Sequence, residues 1–417
     1  MKNTHSVIAS GAAKWRSRSR DHGLLRRLRL LAATQPPADG PAKASHGSRA
    51  EEAAENGRKA DMTSSRPLRA MAFALLCAAA VPHTVAAADP APREVWLRGA
   101  GATFPAPLYK AWIKTYEKGH DGVSLTYDAI GSGAGLSQFV TGSVDFAGSD
   151  APITDEQVAK VDRGVVSVPA TAGMVVLAYS LPNAVGPLRL SREAYAGIFA
   201  GEITKWNDPR IQAANPDIEL PNTTIAVVAR RDASGTTFAF ASHLDAISPV
   251  WQEKGLGAGT LVSWPAGAMK VPGNEGVAQR IKISEGAIGY VEYGFAKRLG
   301  LPVAALENKA GKFVMPTEEA GTQALAEAGE AMDEKLRVVV TDAAGDAAYP
   351  IVTYSWLLLY GSYPDQQKAE AVRDFAAWGL TEGQTIRDEG LSGYIPLPAN
   401  VVAKGQQALA AIRPGNM

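Results

Sequence analysis

Val123-Ser-Leu-Thr-Tyr127, Gly131-Ser-Gly-Ala-Gly-Leu-Ser-Gln-Phe-Val140 and Val144-Asp-Phe-Ala147 follow one another closely along the chain, and their succession sets the fold class. The outer two runs are β-rich and read as strands, while the glycine-rich middle leads into a helical pattern from Leu136 to Val140. Outward from this stretch the alternation continues, with helical patterns over Pro105–Lys118 and Lys368–Trp378 and a strand over Met174–Tyr179. Strands alternating with helices predict an α/β protein. A chain of 417 residues exceeds one compact core, so two domains are expected. After residue 88 there is no internal repeat and no apolar run of the about 20 residues that cross a bilayer, so the mature chain is expected not to insert into a membrane.

The formal charge of zero hides an asymmetry. Residues 1–88 hold 14 Lys and Arg against 6 Asp and Glu, a net of +8, which leaves 28 against 36, or −8, on the remainder. A nucleic-acid binder would carry its positive charge on the folded body, so nucleic acid is not an expected partner. The basic segment ends in an export pattern: Met62, Arg66 and Arg69, then the apolar run Ala70–Val81, then Ala86-Ala-Ala88. This reads as a secretory signal over 62–88 with cleavage near Ala88. Residues 1–61 are rich in Arg, Ala, Ser and Gly without apolar periodicity, and read as disordered or as an upstream extension that is not translated. The sole cysteine, Cys77, falls in the signal, so the mature protein has no thiol. Leu76 before it argues against a lipid anchor.

Three segments share one chemistry. Gly99-Ala-Gly-Ala-Thr103-Phe104-Pro105, Gly131-Ser132-Gly-Ala-Gly135 and Arg230-Arg-Asp232-Ala-Ser234-Gly235-Thr236-Thr237 each place glycine and hydroxyls ahead of a helical pattern. A helix start offers unpaired N–H groups and a partial positive charge, so three of them could surround one oxyanion. For any one segment an ordinary N-cap, with Thr103 for example near the cap of its helix, is the commoner outcome. No nucleotide signature is present, because Phe104 and Leu136 stand where the last glycine of G-x-G-x-x-G belongs and no G-x-x-x-x-G-K-[ST] occurs.

These residues also carry a family resemblance. Gly99–Pro107, Gly131-Ser132 and Asp145-Phe-Ala-Gly-Ser-Asp150-Ala-Pro152 resemble the phosphate-binding protein of Pst-type phosphate ABC transporters. Gly201–Pro209, Ala226–Phe238, Ser263-Trp-Pro265, Gly286–Tyr293 and Tyr394-Ile-Pro-Leu-Pro398 agree in the same order. The resemblance implies a two-lobe type II periplasmic-binding fold, each lobe a mixed β-sheet flanked by helices, with a hinge between lobes. It implies a first lobe of residues 89–171 plus 350–417 and a second of 172–349, with crossovers near Pro169–Ala172 and Tyr349–Ile351. It further implies a non-enzymatic periplasmic receptor for inorganic phosphate that serves membrane permease subunits and needs no cofactor.

Carried over position by position, Thr103 and Phe104 supply backbone N–H groups, with the Thr103 hydroxyl besides, and Ser132 gives a hydroxyl and an N–H. Arg230 matches the ligand arginine, Ser234, Gly235 and Thr236 the anion-binding turn, and Asp150 the acceptor carboxylate. Adjacent arginines stand one place later than in the family pattern. Counting back from Ser234 selects Arg230 and leaves Arg231 as a surface charge. Asp232 matches the residue that orients that arginine's bidentate fork, although an ordinary turn residue is its plain alternative.

Asp150 would account for selectivity, since phosphate near neutral pH keeps a proton to donate and sulfate has none. The rival from another class is a secreted phosphatase with Ser132 or Ser234 as nucleophile. Only His120 and His243 follow the signal, at no metal-ligand spacing, and no G-x-S-x-G elbow surrounds a serine. Another tetrahedral oxyanion, sulfate or arsenate, is the alternative cargo.

Overall fold

Strand β1 (Val95–Gly101) runs parallel to β2 (Val123–Ala129) on one side and β3 (Phe146–Ser149) on the other. Helix α1 (Ala106–Tyr116) connects the first pair, and α2 (Ser132–Val140) leads to β3. The computed structural model describes residues 94–182, 186–386 and 388–415. The upstream segment, the signal, its cleavage near Ala88 and Cys77 lie outside the described residues.

The long strand β4 (Val165–Ser180) is the spine of the sheet. It is followed by β5 (Ala226–Arg230), α3 (Gly235–Ile247), β6 (Met269–Val271), α4 (Gly273–Ile283), β7 (Ala287–Glu292), β8 (Val352–Tyr360) and α5 (Gln366–Leu380). The strand order is β2-β1-β3-β8-β4-β7-β5-β6, with Tyr394–Ile395 also pairing β4. From Val165 to Met174, β4 is antiparallel to β8, and from Val175 to Ser180 it is antiparallel to β7. One strand therefore serves two half-sheets, changing partner between Met174 and Val175. Each half is mixed: parallel β1, β2 and β3 beside antiparallel β8, and parallel β5, β6 and β7 beside antiparallel β4. The α/β expectation holds. A strand covered on both faces is an almost unbroken apolar run, and β4 is buried continuously from Val168 to Tyr179, with Thr171 and Tyr179 bringing the only hydroxyls in that stretch.

Helices bury each half-sheet through aromatic clusters. In the first half, Trp112 and Tyr116 of α1 pack on Phe375 and Trp378 of α5. In the second, Phe240 of α3 lies against Phe199, Trp264 and Tyr290.

The short strand read at Val144–Ala147 begins two residues later, at Phe146. Val144 and Asp145 are instead anchored by tyrosines of the β8 end, whose hydroxyls reach their carbonyls: Tyr360 to Val144 and Tyr363 to Asp145. Residues 333–337, counted in the sequence reading with 172–349, hydrogen-bond to the first half. Arg337 donates to Asp155 and to the Ile153 carbonyl, and the Leu336 carbonyl accepts from Trp356 Nε1.

Gly101 ends β1 at φ +146°, where a Cβ would lie 2.1 Å from the Gly148 carbonyl oxygen on β3. Both the backbone angle and the close approach demand glycine. Gly101→Ala is expected to destabilise the protein by about 3 kcal/mol or more, read as a fall in the urea midpoint. A midpoint unchanged from the parent would contradict this packing.

Candidate functional site

In each half the parallel strands finish on one edge, and the residues that follow those ends meet. Thr103 and Phe104 follow β1, Ser132 follows β2, Asp150 follows β3, and Arg230 closes β5 ahead of Ser234, Gly235 and Thr236. Sites at the carboxyl ends of strands are the rule in open α/β sheets. Contacts across the two halves are direct. The Gly235 N–H donates to Ser132 Oγ at 3.0 Å, and the Gly133 N–H to the Ala233 carbonyl at 3.0 Å. Thr103 Oγ1 accepts from Asn274 on α4.

Of the three helix starts, one has the side-chain cap read in the sequence and two do not. Ser234 is an N-cap, its Oγ accepting the Thr237 N–H at 3.0 Å. Thr103 is not: α1 begins at Ala106 behind Pro105, with no side-chain cap. Nor is Ser132, which is the first residue of α2 behind Gly131, again without a side-chain cap. Both hydroxyls are turned to other partners. Phe104 is fully buried, and its carbonyl accepts from the Tyr394 hydroxyl at 2.7 Å.

A hydroxyl has two lone pairs to accept with and one proton to give. Ser132 Oγ accepts the Gly235 N–H and the Asp150 N–H, at 3.0 and 3.3 Å. Thr103 Oγ1 accepts the Asn274 N–H and Nδ2, at 3.2 and 3.0 Å. Thr236 Oγ1 accepts Asn274 Nδ2 at 3.1 Å and Arg230 Nη1 at 3.5 Å. With their acceptor sites filled, all three hydroxyls have only a proton left to offer. That is a set of donors, suited to an anion.

Arg230 and Arg231 are adjacent in sequence and opposite in environment. The Arg230 side chain is 1% exposed, whereas Arg231 is exposed. Arg230 Nε donates to Asp232 Oδ1 at 2.8 Å and Nη2 to Oδ2, so the carboxylate grips one edge of the guanidinium. Asp232 Oδ1 also accepts the Gly273 N–H at 3.1 Å. Its pKa lies below the ordinary carboxylate value: burial alone would raise it, and the Arg230 bonds and charge with the Gly273 N–H outweigh that.

Asp150 is fully buried, and desolvation raises its pKa to about 7. A hydrogen bond from Ser355, the Arg230 charge and a hydrogen bond from Thr236 hold it from rising further. Ser355 Oγ donates to Asp150 Oδ1 at 2.8 Å. Register explains the pair: Ser149 on β3 faces Trp356 on antiparallel β8, so the next residue on each strand is Asp150 and Ser355. The Arg230 guanidinium is gripped by the Asp232 carboxylate, so attraction for an anion rests largely on N–H and O–H dipoles at short range.

Asn274 and Ser355 escaped the sequence reading. Pro272-Gly273-Asn274, at the start of α4, repeats the glycine-then-polar pattern of the three segments and could have been added to them. Ser355 is a small hydroxyl inside the buried apolar run of β8, which is a weaker signal. Of the two histidines among the described residues, His120 Nδ1 bonds the Tyr116 carbonyl and His243 Nε2 the Tyr195 hydroxyl.

A family model described as the PBP superfamily domain matches residues 49–382. The phosphate-binding protein PstS of Pasteurella multocida is 39% identical over 311 residues, covering 74% of this chain and 88% of that protein. The PstS of Methanocaldococcus jannaschii is 39% identical over 345 residues, covering 77% and 87%. Among solved structures, a high-affinity periplasmic phosphate-binding protein (PfluDING) bound with phosphate superposes with a TM-score of 0.59 at 21% identity, covering 75% of this chain and 93% of that one. The phosphate-binding protein of Stenotrophomonas maltophilia gives a TM-score of 0.56 at 21% identity, covering 75% and 94%. The fold is thus the two-lobe periplasmic-binding fold, and on the identity shared with its PstS relatives the chain belongs to the family of PstS phosphate-binding proteins.

Proposed function

We propose that this chain captures inorganic phosphate in the periplasm and delivers it to the permease subunits of an ABC transporter, without turning over a substrate. The observation that carries the reading is the convergence of Ser132 and Asp150 from one half with Arg230, Ser234, Gly235 and Thr236 from the other. In this reading the lobes are 89–171 plus 350–417 and 172–349, with the 333–337 segment lying on the first. The change of partner on β4 then marks one crossover of a hinge, and lobe closure around the ion excludes water and strengthens its hydrogen bonds.

Each residue has a part. The hydroxyls of Thr103, Ser132 and Thr236, the Phe104 N–H ahead of α1 and N–H groups at the starts of α2 and α3 donate to phosphate oxygens, while Gly235, its N–H on Ser132 Oγ, forms the turn that closes on the ion. Arg230, steadied by Asp232, supplies a full positive charge. Asp150 accepts the proton that phosphate retains at neutral pH. Sulfate has no such proton and would face a buried carboxylate that it leaves unpaired. The mature chain's net negative charge does not oppose capture, because remote charges are screened beyond roughly 10 Å at 0.1 M salt.

A phosphatase would need an activated nucleophile. Ser132 Oγ and Ser234 Oγ are engaged by backbone N–H groups, which withdraw electron density from the oxygen and do not take its proton. The test is calorimetry on the purified protein stripped of bound anion. One phosphate bound per chain, sulfate at least about 10³-fold weaker, and no release of phosphate from a phosphomonoester are the expected results. Turnover of the ester, or equal affinity for sulfate, would overturn the reading. Among the described residues no helix is long and apolar enough to cross a membrane.

A further inference from the structure

We infer that Asn274 is the positioning residue that makes Thr103 and Thr236 hydrogen-bond donors toward the bound anion. The inference rests on the phosphate reading and adds to it a residue outside the set that the family resemblance implies. Asn274 is fully buried and sits in the first turn of α4, directly after the β6 strand and Pro272-Gly273. Its Oδ1 accepts the Glu292 N–H from the end of β7 at 3.0 Å. That donor fixes the amide, with its oxygen toward β7 and its NH2 toward the two threonines. Nδ2 reaches Thr103 Oγ1 at 3.0 Å and Thr236 Oγ1 at 3.1 Å, one amide hydrogen for each.

An NH2 group accepts nothing, so neither threonine can spend its proton on Asn274. Thr103 receives a second bond from the Asn274 N–H, and Thr236 from Arg230. Neither proton is drawn to the amide: in the anion-free site the Thr236 hydroxyl bonds Asp150, and both O–H groups can turn to an acceptor that enters. A tetrahedral oxyanion is acceptor on nearly every side, so one amide sets the polarity of two hydroxyls that it requires. Thr103 comes from the first half and Thr236 from the second, and the same amide therefore joins the two.

Asn274→Asp keeps the shape and reverses the polarity. A carboxylate oxygen in place of the NH2 accepts from both threonines, draws their protons away from the anion, and adds a negative charge. Calorimetry on the purified protein should show phosphate binding at least 100-fold weaker than in the parent at pH 8. The new carboxyl would be faced by Asp150, Glu292 and, past Gly273, Asp232, which favour its protonation along with burial, and by Arg230, which opposes it. As pH falls toward 5 it regains a proton to donate, so the ratio of variant to parent Kd should shrink. Titrating the parent at each pH cancels the protonation of phosphate and of Asp150. A merely structural role would leave that ratio independent of pH. Asn274→Ala, which removes the NH2 without adding charge, should weaken binding about tenfold with a pH-independent ratio, and it decides the matter if the Asp variant does not fold. The inference is overturned if both variants bind phosphate within threefold of the parent at pH 8, or if the Asp ratio does not move with pH. A parent that binds no phosphate overturns the functional reading itself, which is a separate outcome.

Discussion

Asp150→Asn should raise affinity for sulfate relative to phosphate by about 10²-fold or more. A site whose buried polar group is left unpaired can reject an analogue by about 10⁴ to 10⁵. Asp150 is such a group for sulfate, being fully buried and already accepting from Ser355. Asn presents an oxygen that still accepts the phosphate proton and an NH2 that donates to a fully ionised oxygen, so sulfate gains while phosphate loses little. Competition calorimetry measures the ratio of the two Kd values, and a ratio within threefold of the parent's would remove Asp150 from the selectivity mechanism.

The same substitution has a stability signature. Burial raises the Asp150 pKa from 3.8 to about 7, so between those values the folded state holds a proton that the unfolded state has released. Stability of the anion-free protein therefore falls as pH rises from about 4 to 7, and the penalty is complete above 7. It amounts to on the order of 4 kcal/mol at most. Glu292, buried at the N-cap of the helix Tyr293–Arg298, behaves alike, with its pKa raised to about 8. The Asp150→Asn variant should recover part of the first penalty at pH 8 and none at pH 4. A thermal-melt difference between variant and parent that is the same at both pH values would contradict the burial argument.

Gly235→Ala should weaken phosphate binding by about 10² to 10³-fold while leaving the anion-free protein folded. A Cβ at Gly235 would lie 2.6 Å from Asp150 Cβ and from Ser132 Oγ, and 2.7 Å from the Asp150 nitrogen. All three atoms belong to the opposite half, so the clash is relieved by separating the halves, and in isolation Ala favours α3 by about 1 kcal/mol over Gly. Displacements of about 1 Å at such a site cost orders of magnitude in function. An unchanged Kd would mean that the halves need not approach this closely to hold the ion, and a large loss of stability would mean that they do not separate.

Much of this was legible because it is local. Strand and helix alternation lies in the periodicity of neighbouring residues, and the glycine-hydroxyl segments are contiguous. Counting back from Ser234 selected Arg230, the buried arginine, over its exposed neighbour. What could not be read depends on pairing between distant strands. Ser355 meets Asp150 only because β8 lies antiparallel to β3, and Asn274 meets Thr103 only when the two halves pack. Thr103 and Ser132 looked like caps because a hydroxyl ahead of a helix usually is one. Their acceptor sites were taken instead, those of Thr103 by Asn274 and those of Ser132 by the Gly235 and Asp150 N–H groups, and Asn274 and Gly235 lie more than 100 residues away in sequence.

A high-resolution crystal structure of the phosphate-loaded protein decides whether one anion sits where the two half-sheets meet. It should show a single phosphate within hydrogen-bonding distance of Arg230, the Thr103, Ser132 and Thr236 hydroxyls and the turn at Ser234-Gly235, with one oxygen close to Asp150. Phosphate bound elsewhere on the chain, or held with Asp150 and Arg230 both out of contact, would contradict that placement.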